Sequence, residues 1–222
     1  MFPLRDTIPS RRLSFVCIFI IVLNVFIFIY ESRLGEIEIK EFFRTWGLLP
    51  SKFIWSSIHL RNWLPLVSSQ FLHAGWLHVL MNMWMLWIFG DNIEDRLGHL
   101  IFVFFYLLCG LGAAIAQLVF AGNAEVPMVG ASGAISGVMG AYLWLFPHSK
   151  IVTFVPIFIF PAVFTISAKF FLLYWFLLQI VAGGMSLGLA GEQSGGIAWW
   201  AHIGGFATGF VYAALFIRRS NE

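Results

Sequence analysis

Charge is what this sequence has least of. Asp, Glu, Lys and Arg make up 11% of its 222 residues, against 60% hydrophobic. A soluble domain carries roughly 25% charged residues, so a solvated surface is excluded and an integral membrane protein is the class that fits. Cysteine is nearly missing too. Cys17 and Cys109 each fall inside an apolar run. They read as small buried apolar residues, which excludes a disulfide framework or a thiolate metal site. The net charge of +2 is small and spread along the chain, so no nucleic-acid partner is expected. There is no internal repeat and no low-complexity tract.

What the chain does have is apolar length. Six segments stand out, at about 13–30, 76–90, 100–121, 132–146, 168–184 and 197–217. The expected fold is an all-α membrane protein, a six-transmembrane-helix bundle occupying residues 13–217. Residues 1–12 and 218–222 are expected to be short cytoplasmic tails. The first segment follows Arg11 and Arg12 but is long for a signal sequence, and no small-x-small cleavage site follows it. A long polar first loop, Glu31 to about Ser69, carries Trp46, Trp55 and Trp63. Tryptophan prefers the membrane interface, so the loop is expected to rest partly on the bilayer. The stretch "KIVTFVPIFIFPAV" (150–163) is β-branched and broken by Pro156 and Pro161. It is expected to be an extended interfacial connector.

Six crossings put both termini on one side. Arg5, Arg11, Arg12, Arg96, Lys150, Lys169, Arg218 and Arg219 fall on that side, which the positive-inside rule makes cytoplasmic. Spans two, four and six then run from outside to inside. The absence of a transit segment or large soluble domain leads us to expect a prokaryotic plasma membrane.

Depth locates the polar residues. From Pro147 back to Ser132 the helical rise covers about 22 Å, and from Arg218 back to His202 about 24 Å, in a hydrocarbon core roughly 30 Å thick. The two residues therefore share a level below the outer surface, on helices that run the same way. Gly133 and Gly137 form a small-xxx-small pair on span four, and Gly205 and Gly209 form another in "AHIGGFATG". Such pairs let membrane helices approach closely. His78 and Asn82 are four residues apart on one face of span two, about 19 and 14 Å back from Asp91.

A hydroxyl, a neutral imidazole and amide or imidazole donors at one depth are the parts of acyl transfer. The serine attacks a carbonyl, the histidine takes its proton, and the donors hold the oxyanion. Ser132 opens its helix, so its own N–H is free to be one of those donors. No Asp or Glu lies within spans two, four or six, so the expectation is a Ser-His dyad. "GASGA" is not the soluble hydrolase elbow G-x-S-x-G, because Ala134 replaces the second glycine. His73 lies near the outer rim on another face from His78 and is expected to order the local loop. His59, His99 and His148 are expected to be interfacial and inert. The spacing of His73 and His78 is not that of a helical metal site, so no metal is expected.

"GASG" with Ser132, "AHIGGFATG" with His202, "HVLMN" with His78 and Asn82, and "EDRLG" together resemble the rhomboid family of intramembrane serine proteases, from about Trp63 to Arg218. The resemblance implies a six-helix bundle that cleaves single-span or multi-span membrane proteins in or near their spans. It implies Ser132 as nucleophile, His202 as general base and an oxyanion site from Ser132, Asn82 and His78. It implies a structural cytoplasmic role for Glu94 and Arg96. It calls for no cofactor. Two departures stand out. Trp63 is followed by Leu64 where many members carry a Trp-Arg pair, and Ser136 stands four residues after Ser132 where many place an aromatic against the histidine.

Two rival readings belong to other classes. A small transporter using His78, Asn82 and His202 as a polar path is expected to show paired broken helices or an inverted repeat, and neither is visible. A non-catalytic rhomboid-like protein that binds membrane clients usually lacks the serine or the histidine, and both stand here.

Overall fold

The computed structural model describes residues 1–157, 160–188 and 198–218. The elements run β1 (Phe2–Asp6), α1 (Phe15–Glu31), α2 (Glu36–Trp46), α3 (Leu60–Trp63), α4 (Pro65–Ser68), α5 (Trp76–Leu97), α6 (His99–Phe120), α7 (Ser132–Leu145), β2 (Lys150–Ile157), β3 (Phe160–Ser167), α8 (Ala168–Gly188) and α9 (Trp199–Phe216). Residue 197, where predicted span six begins, and residues 219–222 of the predicted C-terminal tail lie outside the described residues.

The bundle is built around α7, which packs against α5, α6, α8 and above all α9. It is buried along nearly its whole length. Its 14 residues rise only about 21 Å, against about 33 Å for the 22-residue α6. Small residues explain the central place. A Cβ on Gly205 would collide with the carbonyl oxygen of Gly133, and one on Gly209 with that of Gly137. A Cβ on Gly133 would meet Ala113, and one on Gly137 would meet Cys109, both on α6. The four glycines therefore bring the α7 and α9 backbones into contact and seat short side chains of α6 directly on α7.

The outer surface is apolar. On α1, Phe15, Phe19, Val22, Phe26 and Ile29 form an exposed stripe at helical spacing, while Asn24 is fully buried. Phe104 and Leu108 of α6, and Phe170, Leu173 and Leu177 of α8, are also exposed. A patch this continuous does not survive in water and is the surface of a chain dissolved in lipid. Among the described residues, α6 and the Ala168–Ser186 part of α8 are long and apolar enough to cross a membrane by length and composition. α1 and α7 are shorter apolar helices.

The all-α expectation needs correction. Residues 2–6, 150–157 and 160–167 form a three-stranded antiparallel sheet, in the order β1-β2-β3. Phe2 pairs with Phe154, and Lys150 pairs with Ser167. The predicted connector thus contributes two paired antiparallel strands, and part of the predicted N-terminal tail is the third strand of their sheet. Both prolines follow strand rules. Pro156 and Pro161 are register partners beyond the reach of β1, where a missing N–H breaks no ladder bond to a third strand. The first loop contains the amphipathic helix α2 and several single turns. Trp63 is anchored without an adjacent arginine. Its indole N–H donates to the Ser57 carbonyl at 2.9 Å, and its ring lies edge-on to Phe53.

Glu94 and Arg96 serve different helices. The Glu94 carboxylate accepts the N–H groups of Val16 at 2.9 Å and Cys17 at 2.7 Å, capping the positive end of α1. His99 Nδ1 bonds the same carboxylate, so His99 is a structural partner and not an inert interfacial residue. Arg96 donates to the Arg218 carbonyl beyond α9 at 2.7 Å.

Asp6 ties the N-terminal strand to the bundle. Its carboxylate accepts from the Tyr142 hydroxyl at 2.6 Å and from Asn92 Nδ2 at 2.9 Å. Burial raises its pKa from 3.8 to about 6, with the nearby Asp91 adding to the rise. The folded chain therefore holds the proton more tightly than the unfolded chain. The associated stability is fully present below pH 3.8 and is lost as pH rises through about 6. Hydrogen exchange in residues 2–6 is expected to quicken between pH 5 and 7 beyond its intrinsic chemical rate, and Asp6→Asn should abolish that extra rise. An equal rise in the variant refutes the assignment to Asp6.

Candidate active site

Ser132 is the first residue of α7, reached through a tight approach. Gly130 has φ +128°, a conformation that glycine alone adopts easily. A Cβ there would also lie 2.7 Å from His78 Nε2. The Gly130 N–H donates to the Ser69 carbonyl at 2.9 Å. Leu48 and Met128 exchange backbone hydrogen bonds at 3.0 and 2.7 Å, pinning the first loop to the segment before α7.

His202 lies one turn into α9. Its Nε2 is 2.8 Å from Ser132 Oγ, although the residues are 70 apart in sequence. Its Nδ1 is 2.8 Å from Gln179 Oε1 on α8. The rings of Trp175 and Trp199 flank the imidazole, with centroids at 5.9 and 6.1 Å. Ser136 does not hold the imidazole. Its hydroxyl donates back to the Ser132 carbonyl at 2.6 Å, the usual bond of a helical serine. The histidine is therefore held from α8 and α9.

Ser132, His202, His78 and Asn82 all line one cavity of about 950 Å³. Its walls come from α5, α7, α9 and the 125–130 segment, with Phe43 and the exposed Lys40 and Arg44 contributed by α2. Asn82 is 6% exposed, and its Nδ2 finds no hydrogen-bond partner among the described residues. A buried unsatisfied donor costs about 1–3 kcal/mol, so one on a residue that lines a cavity is suited to receive an oxygen. The free N–H of Ser132 at the head of α7 is a second such donor. Donors, hydroxyl and imidazole in one pocket can attack a carbonyl and hold the resulting oxyanion.

His73 lies in the connection before α5. It is buried, its N–H donates to Glu31 at 3.1 Å, and its ring packs edge-on to His78 at 5.1 Å. Burial and the neighbouring His78 push its pKa down to about 3, so it is neutral at physiological pH. Among the described residues, no group of three His, Cys, Asp or Glu side chains is arranged to hold a metal ion.

Gln179 and Trp175 were not expected from the sequence. The one signal was an amide inside the otherwise apolar run "FFLLYWFLLQIV", since a buried polar residue in a membrane helix takes a partner.

An apolar-coated helical bundle enclosing a serine, an imidazole and amide donors defines a membrane-embedded protein with a polar interior site. Residues 60–219 match the Rhomboid domain, and the chain belongs to the rhomboid family. It is 27% identical over 173 residues to the mitochondrial Rhomboid protein 1 of Saccharomyces cerevisiae, covering 76% of this chain and 46% of that one. It is 32% identical over 160 residues to RHOMBOID-like protein 4 of Arabidopsis thaliana, covering 69% and 34%. Over 84 residues it is 37% identical to the Rhomboid protease GluP of Bacillus subtilis, covering 38% and 16%. The chain thus spans less than half the length of each of these relatives.

Proposed function

We propose that this protein is an intramembrane serine endopeptidase whose nucleophile is Ser132 and whose general base is His202. The observation that carries the reading is the 2.8 Å contact between Ser132 Oγ and His202 Nε2 at the wall of a cavity inside an apolar-coated bundle. Ser132 Oγ attacks the scissile carbonyl and its proton passes to His202 Nε2. The Ser132 N–H, Asn82 and His78 stabilise the oxyanion. The proton then passes to the leaving amine, and water releases the acyl group from Ser132 by the same steps in reverse roles.

The substrates are single-span or multi-span membrane proteins. A helix hides its carbonyls, so the substrate segment must unwind locally before attack. Entry is between α5 and α8, which meet through Phe89 and Phe171, two residues that lie toward the sheet end of their helices. Six helices, α1 and α5 to α9, form a bundle set in a plasma membrane, α7 being the short one at its centre, with both termini cytoplasmic, a reading drawn from the basic residues.

A serine-directed fluorophosphonate tests the chemistry. Covalent labelling of the full chain at Ser132, located by peptide mass spectrometry, is the expected result. No labelling, with client binding or solute flux intact, favours a non-catalytic protein or a transporter. Asn82→Ala tests the donors. It is expected to lower kcat by about 10²–10³-fold. Folding should be unharmed, because the lost N–H satisfies no other group among the described residues. An unchanged kcat removes Asn82 from the oxyanion site.

A further inference from the structure

We propose that Gln179 is a positioning residue that sets the tautomer of His202, acting as a neutral third member behind the serine and histidine. The inference deepens the proteolytic reading and rests on it.

Trp175 lies one turn before Gln179 on α8. Gln179 Nε2 lies 3.2 Å from the Trp175 carbonyl. A carbonyl only accepts, so the NH₂ end of the amide must face it. The oxygen end is thereby turned to His202 Nδ1 at 2.8 Å. An amide oxygen cannot donate, so Nδ1 carries the hydrogen. A neutral imidazole has one N–H, which leaves Nε2 bare and able to accept from Ser132 Oγ at 2.8 Å. One carbonyl on α8 thus fixes, through two side chains, which nitrogen faces the hydroxyl. The same turn supplies the Trp175 ring beside the imidazole.

Gln179 is 5% exposed, so the choice of an amide has a physical reason. A carboxylate would place a charge among apolar side chains within a membrane helix, which is expensive. An amide offers the same acceptor atom without charge. It orients the imidazole and gives weaker support to the imidazolium that forms when Ser132 loses its proton.

The test uses the full chain in detergent micelles with ¹⁵N-labelled histidine. Correlation of ring nitrogens with the carbon-bound ring protons separates the two tautomers, with His202 assigned by its loss in His202→Gln. The wild type is expected to show His202 as the Nδ1–H form. Gln179→Leu should yield a tautomer mixture, while Gln179→Glu, which keeps an acceptor oxygen, should restore a single form. With a single-span reporter, Gln179→Leu should lower kcat about 10- to 100-fold. KM should stay within about twofold, as for an interaction made mainly in the transition state. Glu should recover most of the loss. An Nε2–H tautomer in the wild type overturns the proposal. So does an unchanged tautomer in Gln179→Leu, or an equal loss of kcat in Leu and Glu. The tautomer pattern does not depend on cleavage. If it appears as expected while Ser132 takes no label and no membrane protein is cut, the Gln179 assignment stands and the proteolytic reading falls.

Discussion

Ser132→Ala is expected to reduce cleavage of a co-reconstituted single-span protein by at least about 10³-fold, and His202→Ala to do nearly as much, because nucleophile and base act as one unit. The double variant should be little worse than either single one, since the second loss removes a partner that already has nothing to act with. Neither change should disturb the fold much. The Ser132 hydroxyl bonds His202, and the Ser136 bond runs to the Ser132 carbonyl, which alanine keeps. Product mass spectrometry and apparent melting temperature in detergent, measured together, separate lost chemistry from lost structure. Full cleavage by either variant refutes the nucleophile and base assignments outright.

Gly209→Val is expected to prevent α9 from docking on α7. A side chain at Gly209 would run into the Gly137 carbonyl, and one at Gly205 into the Gly133 carbonyl. The obstacle is helix backbone, which has no rotamer with which to move aside. Overpacking in a core usually costs about 1–3 kcal/mol, and here the helices must separate, so a larger loss follows. The site goes with the interface, because Ser132 and His202 meet only while α7 and α9 stay in register. Gly184→Ala is the control. Gly184 is exposed on α8, with nothing within 4 Å of an added Cβ. Alanine there is expected to be neutral or stabilising by about 0.5–1 kcal/mol. A drop in melting temperature of equal size in the two variants contradicts the close-packing account.

The helices and four of the site residues are legible in the sequence for a common reason. Hydrocarbon forces every span to satisfy its backbone locally, so apolar length marks helices directly. The same solvent makes a polar residue inside a span costly, so Ser132, His202, His78 and Asn82 stand out, and the rise per residue converts position into depth. All four line the same cavity. Gln179 fits this logic less well. Counted from Lys169, the rise to it is about 15 Å, short of the 24 Å counted for His202 by about 9 Å. Two long side chains reaching toward each other cover that gap, and backbone counting does not see them.

By itself, the sequence determined that this is a membrane-embedded chain, which segments are apolar, and which residues are too polar to sit there idly. Those properties are set residue by residue by transfer from water to hydrocarbon. Only the tertiary structure decided that residues 2–6 pair with 151–154, that Glu94 caps α1, and that Gln179, not an aromatic after the serine, holds His202. Each of these joins groups far apart in sequence through a hydrogen bond. Such a bond leaves no local period or composition behind, because its geometry exists only once the helices have packed.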